Sequence, residues 1–145
     1  TQLSIHPESK EYGACFFALN GQKIEYRTAK ITPAKTGQFV AIWKRNTAGI
    51  TATFDTKDNI SFIIITVKKG EKLGQFIFPK AFLEERKIIS FRGTGGKRGI
   101  RVYPPWAKTA SKQAEQSQKW QIEYFLAITE DHSESIELAK QLFAL

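Results

Sequence analysis

The stretch Ile60-Ser61-Phe62-Ile63-Ile64-Ile65-Thr66-Val67 decides the fold of this 145-residue chain. It is apolar at nearly every position, and β-branched residues dominate it. A short, continuous apolar run of this kind is typical of a strand that is buried on both faces of a sheet. We therefore predict that residues 60–67 form the central strand.

Further strand-like runs lie on both sides of this central strand. Asn20-Gly21 is a strong hairpin signal, and apolar runs flank it. Residues 1–11 are polar and are expected to form a loop or the end of a preceding helix. The predicted strands, besides the central one, are residues 14–19, 23–31, 38–45, 74–78, 88–91 and 99–103.

Helical patterns come late in the chain. Pro79 suits the first position of a short helix over residues 79–87, because its missing N–H costs nothing there. Residues 111–129 carry an apolar stripe at helical spacing, and their glutamines fit helix propensity, with base-edge reading as the alternative. Asp131 begins a capping box for a last helix over residues 131–145. Strands first and helices last predict an α+β fold, a mixed and largely antiparallel sheet with C-terminal helices, in one domain spanning residues 1–145.

Positive charge is concentrated in two windows of the chain. The chain carries 22 Lys and Arg against 14 Asp and Glu, a formal net charge of +8. Residues 26–54 and 86–114 hold thirteen of these basic residues and no acidic residue. Both windows also contain aromatic residues. Because basic groups attract phosphates and aromatic rings stack on bases, this pattern predicts a nucleic-acid partner.

Cysteine usage and hydropathy indicate a location for the protein. Cys15 is the single cysteine, which excludes a disulfide within the chain and a zinc site built on several cysteines. This usage fits the reducing cytoplasm, and no apolar run is long enough to span a membrane. The chain begins at Thr1 and contains no methionine. We therefore expect the natural N-terminus, with any targeting segment or catalytic acid it holds, to lie outside this sequence.

The first basic window supplies five candidate contacts to phosphate. A turn at residues 33–37 is expected to bring Lys30 and Lys35 together, and paired ammonium groups beside turn N–H groups form an anion site. Strand alternation places Trp43 and Arg45 on one face. In the alternative interpretation Trp43 belongs to the core and the charges protect a sheet edge. The candidates are Arg27, Lys30, Lys35, Lys44 and Arg45.

The second basic window combines a glycine-rich turn with cations and aromatic residues. Residues 92–99 are rich in glycine, which lets backbone N–H groups approach a phosphate, although they do not match a P-loop. Arg101 and Tyr103 alternate with Val102 and therefore project from the same strand face. Trp106 follows two prolines and serves either as a packing anchor or as a stacking platform. The candidates are Lys97, Arg98, Arg101, Tyr103 and Trp106.

Catalysis has weaker support, and no residue is assigned a catalytic or metal-binding role. A divalent-metal nuclease needs carboxylates that converge on the cation, with a lysine nearby. No acid-x-Lys triplet lies inside an apolar strand. Such a site would have to be assembled from Glu25, Asp55 or Asp58, beside Lys30 or Lys68. Magnesium is expected only in this alternative, and no cofactor is expected otherwise.

The candidate residues belong to longer motifs that resemble the MepB family. The resemblance covers residues 12–125 and leaves the predicted last helix outside. The motifs are YGA at 12–14, YRTAKITP at 26–33 with Lys35, GQFV at 37–40, WKR at 43–45, GQF at 74–76, FPK at 78–80, GKRGIRVYP at 96–104 with Trp106, QKWQ at 118–121 and YF at 124–125. The resemblance implies a restriction-endonuclease-like architecture and hence a scaffold that handles nucleic acid. The acidic pattern of an active nuclease is not evident in these motifs, which argues against cleavage.

The sequence therefore predicts a cytoplasmic, non-catalytic protein that binds nucleic acid through phosphates and bases. The binding is expected to be mainly through phosphates, and single-stranded or structured nucleic acid is favoured over a sequence-specific duplex. Two alternatives stay open. One is the divalent-metal nuclease described above, and the other is an interaction module whose basic surface docks an acidic protein.

Overall fold

A computed structural model describes residues 3–6, 10–45 and 47–128 of the chain. Within these ranges there are two α-helices, α1 (Lys80–Glu85) and α2 (Lys112–Ile122), and two single-turn 3-10 helices, Lys10–Tyr12 and Thr56–Asp58. The strands of these ranges are β1 (Leu3–Ile5), β2 (Cys15–Leu19), β3 (Gln22–Thr28), β4 (Lys30–Ile31), β5 (Gln38–Ala41), β6 (Lys44–Arg45), β7 (Thr51–Ala52), β8 (Phe62–Lys69), β9 (Lys72–Pro79), β10 (Ser90–Phe91), β11 (Thr94–Gly95), β12 (Gly99–Val102) and β13 (Phe125–Ala127).

A six-stranded sheet forms the frame of the protein, in the order β1-β2-β3-β8-β9-β13. The predicted central strand is confirmed as β8, which is buried along most of its length. Strands β3 and β8 are parallel, and the other neighbours in this sheet are antiparallel. The predicted α+β class with a mixed, largely antiparallel sheet is therefore confirmed. The finer restriction-endonuclease-like assignment stays a prediction.

Side chains of β8 alternate between two cores, one on each face of the sheet. Ile63, Ile65 and Val67 point into the larger core, whereas Phe62 and Ile64 belong to the smaller one. Alternation is a direct consequence of strand geometry. A strand that is apolar on both faces must be covered on both faces, which explains the composition of the quoted stretch.

A three-stranded sheet, in the order β12-β5-β4, packs over the larger core. Val40 of β5 and Val102 of β12 are fully buried and face the central sheet. Strands β4 and β5 lie in the connection that crosses from β3 to its parallel neighbour β8, a connection that parallel pairing requires. Since β12 comes from the second basic window, its pairing with β5 joins the two windows in space.

Two local predictions are confirmed with small shifts. The Asn20-Gly21 hairpin joins β2 to β3, with φ values of 51° and 79° at these residues. Helix α1 begins at Lys80, one residue later than predicted, because Pro79 is still the extended last residue of β9. No helix in the described ranges is long and apolar enough to cross a membrane.

Two predictions about the first half of the chain are wrong. Residues 1–11 were expected to form a loop or a helix end, but Leu3–Ile5 forms strand β1 and pairs with β2. The predicted strand over residues 38–45 is broken, because β5 ends at Ala41 and Lys44–Arg45 pairs with β7 in a separate hairpin. Trp43 lies at this break and is half-buried.

The predicted helix over residues 111–129 ends early, at Ile122. Residues Phe125–Ala127 instead form β13 on the open edge of β9. Gly74 permits this pairing, because a Cβ atom there would overlap the ring of Phe125. Pairing with β13 satisfies backbone groups on the edge of β9 that a longer helix would leave unpaired. The predicted helix over residues 131–145 lies outside the described residues.

Candidate nucleic-acid interface

The register of the three-stranded sheet aligns one residue from each of its strands. Lys30 of β4 lies opposite Phe39 of β5, and Phe39 lies opposite Arg101 of β12. Directly opposed residues of antiparallel strands project from the same face. A lysine, an aromatic ring and an arginine therefore form a row across the outer face of this sheet.

Ring contacts extend this row at one end. The Nζ atom of Lys30 lies 5.1 Å from the ring centre of Tyr12, and Tyr12 meets Phe39 edge to face at 6.3 Å. The guanidinium carbon of Arg101 lies 5.9 Å from the ring centre of Phe39. Such cation–ring contacts hold flexible side chains in place at modest energetic gain. We use the term sheet face for Tyr12, Lys30, Phe39, Arg101 and Tyr103.

Two glycines make room for the aromatic rings of the sheet face. A Cβ atom on Gly99 would lie 2.5 Å from Cζ of Phe39, and one on Gly37 would lie 2.7 Å from Cδ1 of Tyr103. Real Cβ atoms do not approach other atoms so closely, so each ring rests directly on glycine backbone. The predicted shared face of Arg101 and Tyr103 agrees with this geometry, since both residues lie opposite the same segment of β5 and its preceding turn.

A groove of about 360 Å³ runs between the open edge of β12 and helix α2. Its lining includes Arg86, Lys97 and Arg101. The side chain of Gln121 bridges the strand edge, because its Nε2 donates to the Arg101 carbonyl at 3.1 Å and its Oε1 accepts from the Tyr103 N–H at 2.8 Å. Gln121 thus takes the place of a neighbouring strand. We call this cavity the edge groove.

Helix α2 uses a second glutamine for structure rather than for base reading. Gln118 donates to the carbonyl groups of Pro104 and Ala107 at 2.9 and 3.0 Å. These bonds fasten the loop that follows β12 onto the helix. These bonds and those of Gln121 support the structural interpretation of both glutamines. Helix propensity alone did not predict which backbone groups they would bind.

A second cavity, of about 410 Å³, lies where the tips of the two sheets meet. Three lysines from separate parts of the chain line it, namely Lys35 from the β4–β5 turn, Lys69 from the end of β8 and Lys108 from the loop after β12. Trp106 forms part of its wall and packs edge to face against Phe125 at 5.8 Å. None of the described residues that line it is acidic. We call this cavity the lysine pocket.

Two further predicted cations, Arg98 and Lys44, lie beside the glycine-rich turn in a cleft that also contains an acidic group. They line this cleft of about 420 Å³ together with Lys57 and Asp55. Lys44 is bound to Asp58 at 2.6 Å. The Ser90 hydroxyl, which donates to Asp55 at 2.6 Å, and the Lys57 backbone N–H lower the pKa of Asp55 to about 2. The carboxylate is therefore ionised at neutral pH and makes this cleft less attractive to phosphate.

Two of the predicted phosphate contacts, Arg27 and Arg45, make other interactions in the structure. Arg27 is only 1% exposed and donates to the carbonyl of Tyr26 at 2.8 Å, so it belongs to the interior and not to a phosphate-binding surface. A strand residue in a basic window can face inward, because alternation and not charge sets its direction. Arg45 is exposed, lies 5.3 Å from the ring centre of Trp43 although Trp43 is not in a strand, and donates to Gly49 O at 3.0 Å.

The three acids of the nuclease alternative are occupied in separate interactions. Glu25 is bound to His6 at 2.9 Å, whereas Asp55 and Asp58 hold Ser90 and Lys44. No group of three or more possible metal ligands occurs within the described residues. Burial raises the pKa of the Cys15 thiol, which disfavours the thiolate needed of a nucleophile. The described geometry therefore gives the nuclease alternative no support.

The sequence interpretation missed several residues of these surfaces. Tyr12 and Phe39 were noted only as aromatic members of motifs, although their contacts with cations organise the sheet face. Lys69, Lys108 and Arg86 were not selected at all. No sequence signal identified Phe39, because the burial of its neighbours Gln38 and Val40 is known only from the structure, and the lysines line one pocket only through the tertiary fold.

Comparison with known proteins places the chain in a family. The MepB-like family model matches residues 6–127. The crystal structure of MepB is similar to this structure with a TM-score of 0.85 and 31% sequence identity, over 90% of this chain and 88% of that chain. A comparison with curated proteins gives no significant match. Because the family model covers most of the chain and agrees with the fold, this protein belongs to the MepB-like family.

Proposed function

We propose that this protein binds single-stranded nucleic acid on the sheet face, without catalysis. The observation that carries the proposal is the cross-strand row of Lys30, Phe39 and Arg101, flanked by Tyr12 and Tyr103. A sheet that offers aromatic rings for base stacking and cations for phosphates is a common way to bind an unpaired strand.

The exposure of the rings favours a single strand over a duplex. The rings of Phe39 in β5, Tyr103 directly after β12 and Tyr12 in the neighbouring 3-10 helix are half-buried, so each keeps part of its surface accessible to a base. Bases in a duplex are already stacked on one another, so they cannot use these rings without unpairing. Lys97 lines the edge groove together with Arg101 and extends the positive charge of the sheet face, whereas the guanidinium of Arg86 lies on the ring of Trp120 at 3.6 Å and is paired with Glu85 at 3.8 Å.

Charge alone would also suit an acidic protein partner, so the aromatic residues must decide between the two. An acidic protein would be held by the cations and would depend little on ring stacking. A nucleic acid would lose about 1–3 kcal/mol of binding free energy for each stacked base whose ring is removed. This difference makes the two partners separable by mutation.

The deciding experiment is fluorescence anisotropy with labelled single-stranded DNA, duplex DNA and RNA over a salt series, with and without magnesium, followed by gel analysis of each probe. We expect an unpaired probe to bind more tightly than the duplex and to remain intact. Phe39→Ala and Tyr103→Ala should each weaken binding roughly tenfold. Cleavage that requires magnesium would instead establish the nuclease alternative.

Phe91→Ala provides a matched control for the aromatic variants. Phe91 is 58% exposed and carries Arg92 at 5.1 Å from its ring, but it lies on the β10–β11 hairpin and outside the sheet face. Its removal should leave affinity unchanged. Equal losses from Phe91→Ala and Phe39→Ala would refute the assignment to the sheet face, and absence of binding to every probe at low salt would favour an acidic protein.

A further inference from the structure

We propose that the lysine pocket binds the terminal phosphate monoester of a nucleic-acid strand, with the terminal base against Trp106. This inference rests on the proposed function, because the strand that enters the pocket is the one held by the sheet face. Pockets of about 300–1,000 Å³ accommodate small ligands, and the lysine pocket, at about 410 Å³, falls in this range.

The charge of the pocket matches a monoester better than an internal phosphate. Lys35, Lys69 and Lys108 contribute three ammonium groups, and none of the described lining residues is acidic. A phosphate monoester carries a charge of about −1.5 to −2 at neutral pH, whereas an internal phosphodiester carries one negative charge. Three cations that line the same pocket therefore gain more from a strand end than from a position within a strand.

Fixed contacts hold the walls of the pocket in place. Gln38 is buried and donates to the Lys68 carbonyl at 3.2 Å, which ties the floor of the pocket to the central sheet. Arg101 donates to the Thr36 carbonyl at 3.2 Å and so holds the turn that carries Lys35. Trp106 packs on Phe125. Only the lysine side chains need to adjust when a phosphate enters, which lowers the entropic cost of binding.

The pocket is continuous with the sheet face, and this continuity favours a strand end over a free nucleotide. Gly37 lines the pocket and also lies beneath the ring of Tyr103. A strand that stacks on Tyr103 can therefore pass around the β4–β5 turn and place its last nucleotide beside Trp106. The apolar lining residues Ile31 and Pro104 would cover the edges of that base.

Anisotropy with internally labelled strands of about 12 nucleotides tests this inference, a length chosen from the site sizes of single-strand binders. The strands carry a 5′-phosphate, a 3′-phosphate or hydroxyl groups at both ends, and a nucleoside monophosphate serves as competitor. At about 150 mM salt we expect one phosphorylated strand to bind roughly tenfold more tightly than the hydroxyl strand. The preference should shrink near pH 5.5, because the monoester loses charge below its second pKa of about 6.

Lys69→Ala/Lys108→Ala should abolish the preference for the phosphate. Lys23→Ala/Lys72→Ala is the matched control, since it removes the same charge from exposed lysines that do not line the pocket and should keep the preference. Equal affinity for phosphorylated and hydroxyl strands would overturn the inference while leaving the proposed function intact. A nucleoside monophosphate that competes as well as the phosphorylated strand would overturn the assignment to strand ends. Failure of every strand to bind at low salt would overturn the proposed function itself.

Discussion

The ring of Phe39 lies directly on the backbone of Gly99, with the position of an added Cβ only 2.5 Å from its Cζ atom. Gly99 begins β12 and Phe39 lies in the middle of β5, so this contact joins the two basic windows at the centre of the sheet face. Glycine is needed here for space, because only a residue without a side chain leaves room for the ring. In the proposed function, this contact supports the ring on the side away from the base.

Gly99→Ala should displace the Phe39 ring and weaken single-strand binding roughly tenfold, since one stacking platform is lost. The free energy of unfolding should fall by only about 1 kcal/mol, because the half-exposed ring can turn outward. In a Phe39→Ala background the same change should have little further effect on binding. A double-mutant cycle on anisotropy titrations measures this coupling, and additive losses from the two changes would contradict the role assigned to Gly99.

Lys97→Ala and Arg101→Ala should weaken binding to all sequences alike, because both side chains are assigned to phosphates. For a single strand, each lost phosphate contact should lower the slope of log K against log salt by about 0.7. Lys23→Ala is the control, since Lys23 is exposed on β3 and lines neither the edge groove nor the lysine pocket. Unchanged salt slopes in both variants would remove these residues from the interface.

Gln121→Ala should destabilise the fold by about 2 kcal/mol, because the Arg101 carbonyl and the Tyr103 N–H would lose their partner at the strand edge. In a chain of this size the loss corresponds to a fall in melting temperature of about 4–8 °C. Gln116→Ala, on the exposed side of the same helix, should change the melting temperature very little. Thermal unfolding followed by circular dichroism tests both, and equal effects would mean that Gln121 acts only through helix propensity.

The lowered pKa of Asp55 predicts that the folded protein loses stability in acid. Its pKa is lowered to about 2 in the folded protein, whereas an unfolded aspartate titrates near 3.9. Its contribution to stability is therefore complete above about pH 4 and is lost as the pH falls toward 2. Urea unfolding at a series of pH values should show this decline in the wild-type protein. Asp55→Asn should make this decline smaller.

Ser90→Ala supplies the complementary variant for that experiment. The Ser90 hydroxyl is the strongest of the hydrogen bonds that lower the pKa of Asp55. Its removal should raise that pKa toward the ordinary value and flatten the profile in the same pH window. A Ser90→Ala profile as steep as that of the wild-type protein would show that other groups control the acid transition.

The sequence predicted the elements whose local pattern and tertiary setting agree. The apolar run of β8, the Asn20-Gly21 hairpin and the start of α1 at Pro79 each satisfy a local rule that the fold also uses. The prediction was wrong at residues 125–127, where a helical apolar pattern was overridden by the open edge of β9. It was also wrong for Arg27, because a basic side chain in a basic window need not face solvent.

The sequence by itself determined the class of the fold, the central strand and the separation of charge into two windows, because composition and period-two alternation are local properties of the chain. Only the tertiary structure decided which cations share a surface. Lys30 and Arg101 are far apart in the chain and lie on either side of Phe39 through strand register, whereas Lys35, Lys69 and Lys108 line one pocket at the tips of two sheets. No single segment of the sequence encodes either arrangement of cations, since each depends on how β5 pairs with β12 and how the small sheet packs on the central one.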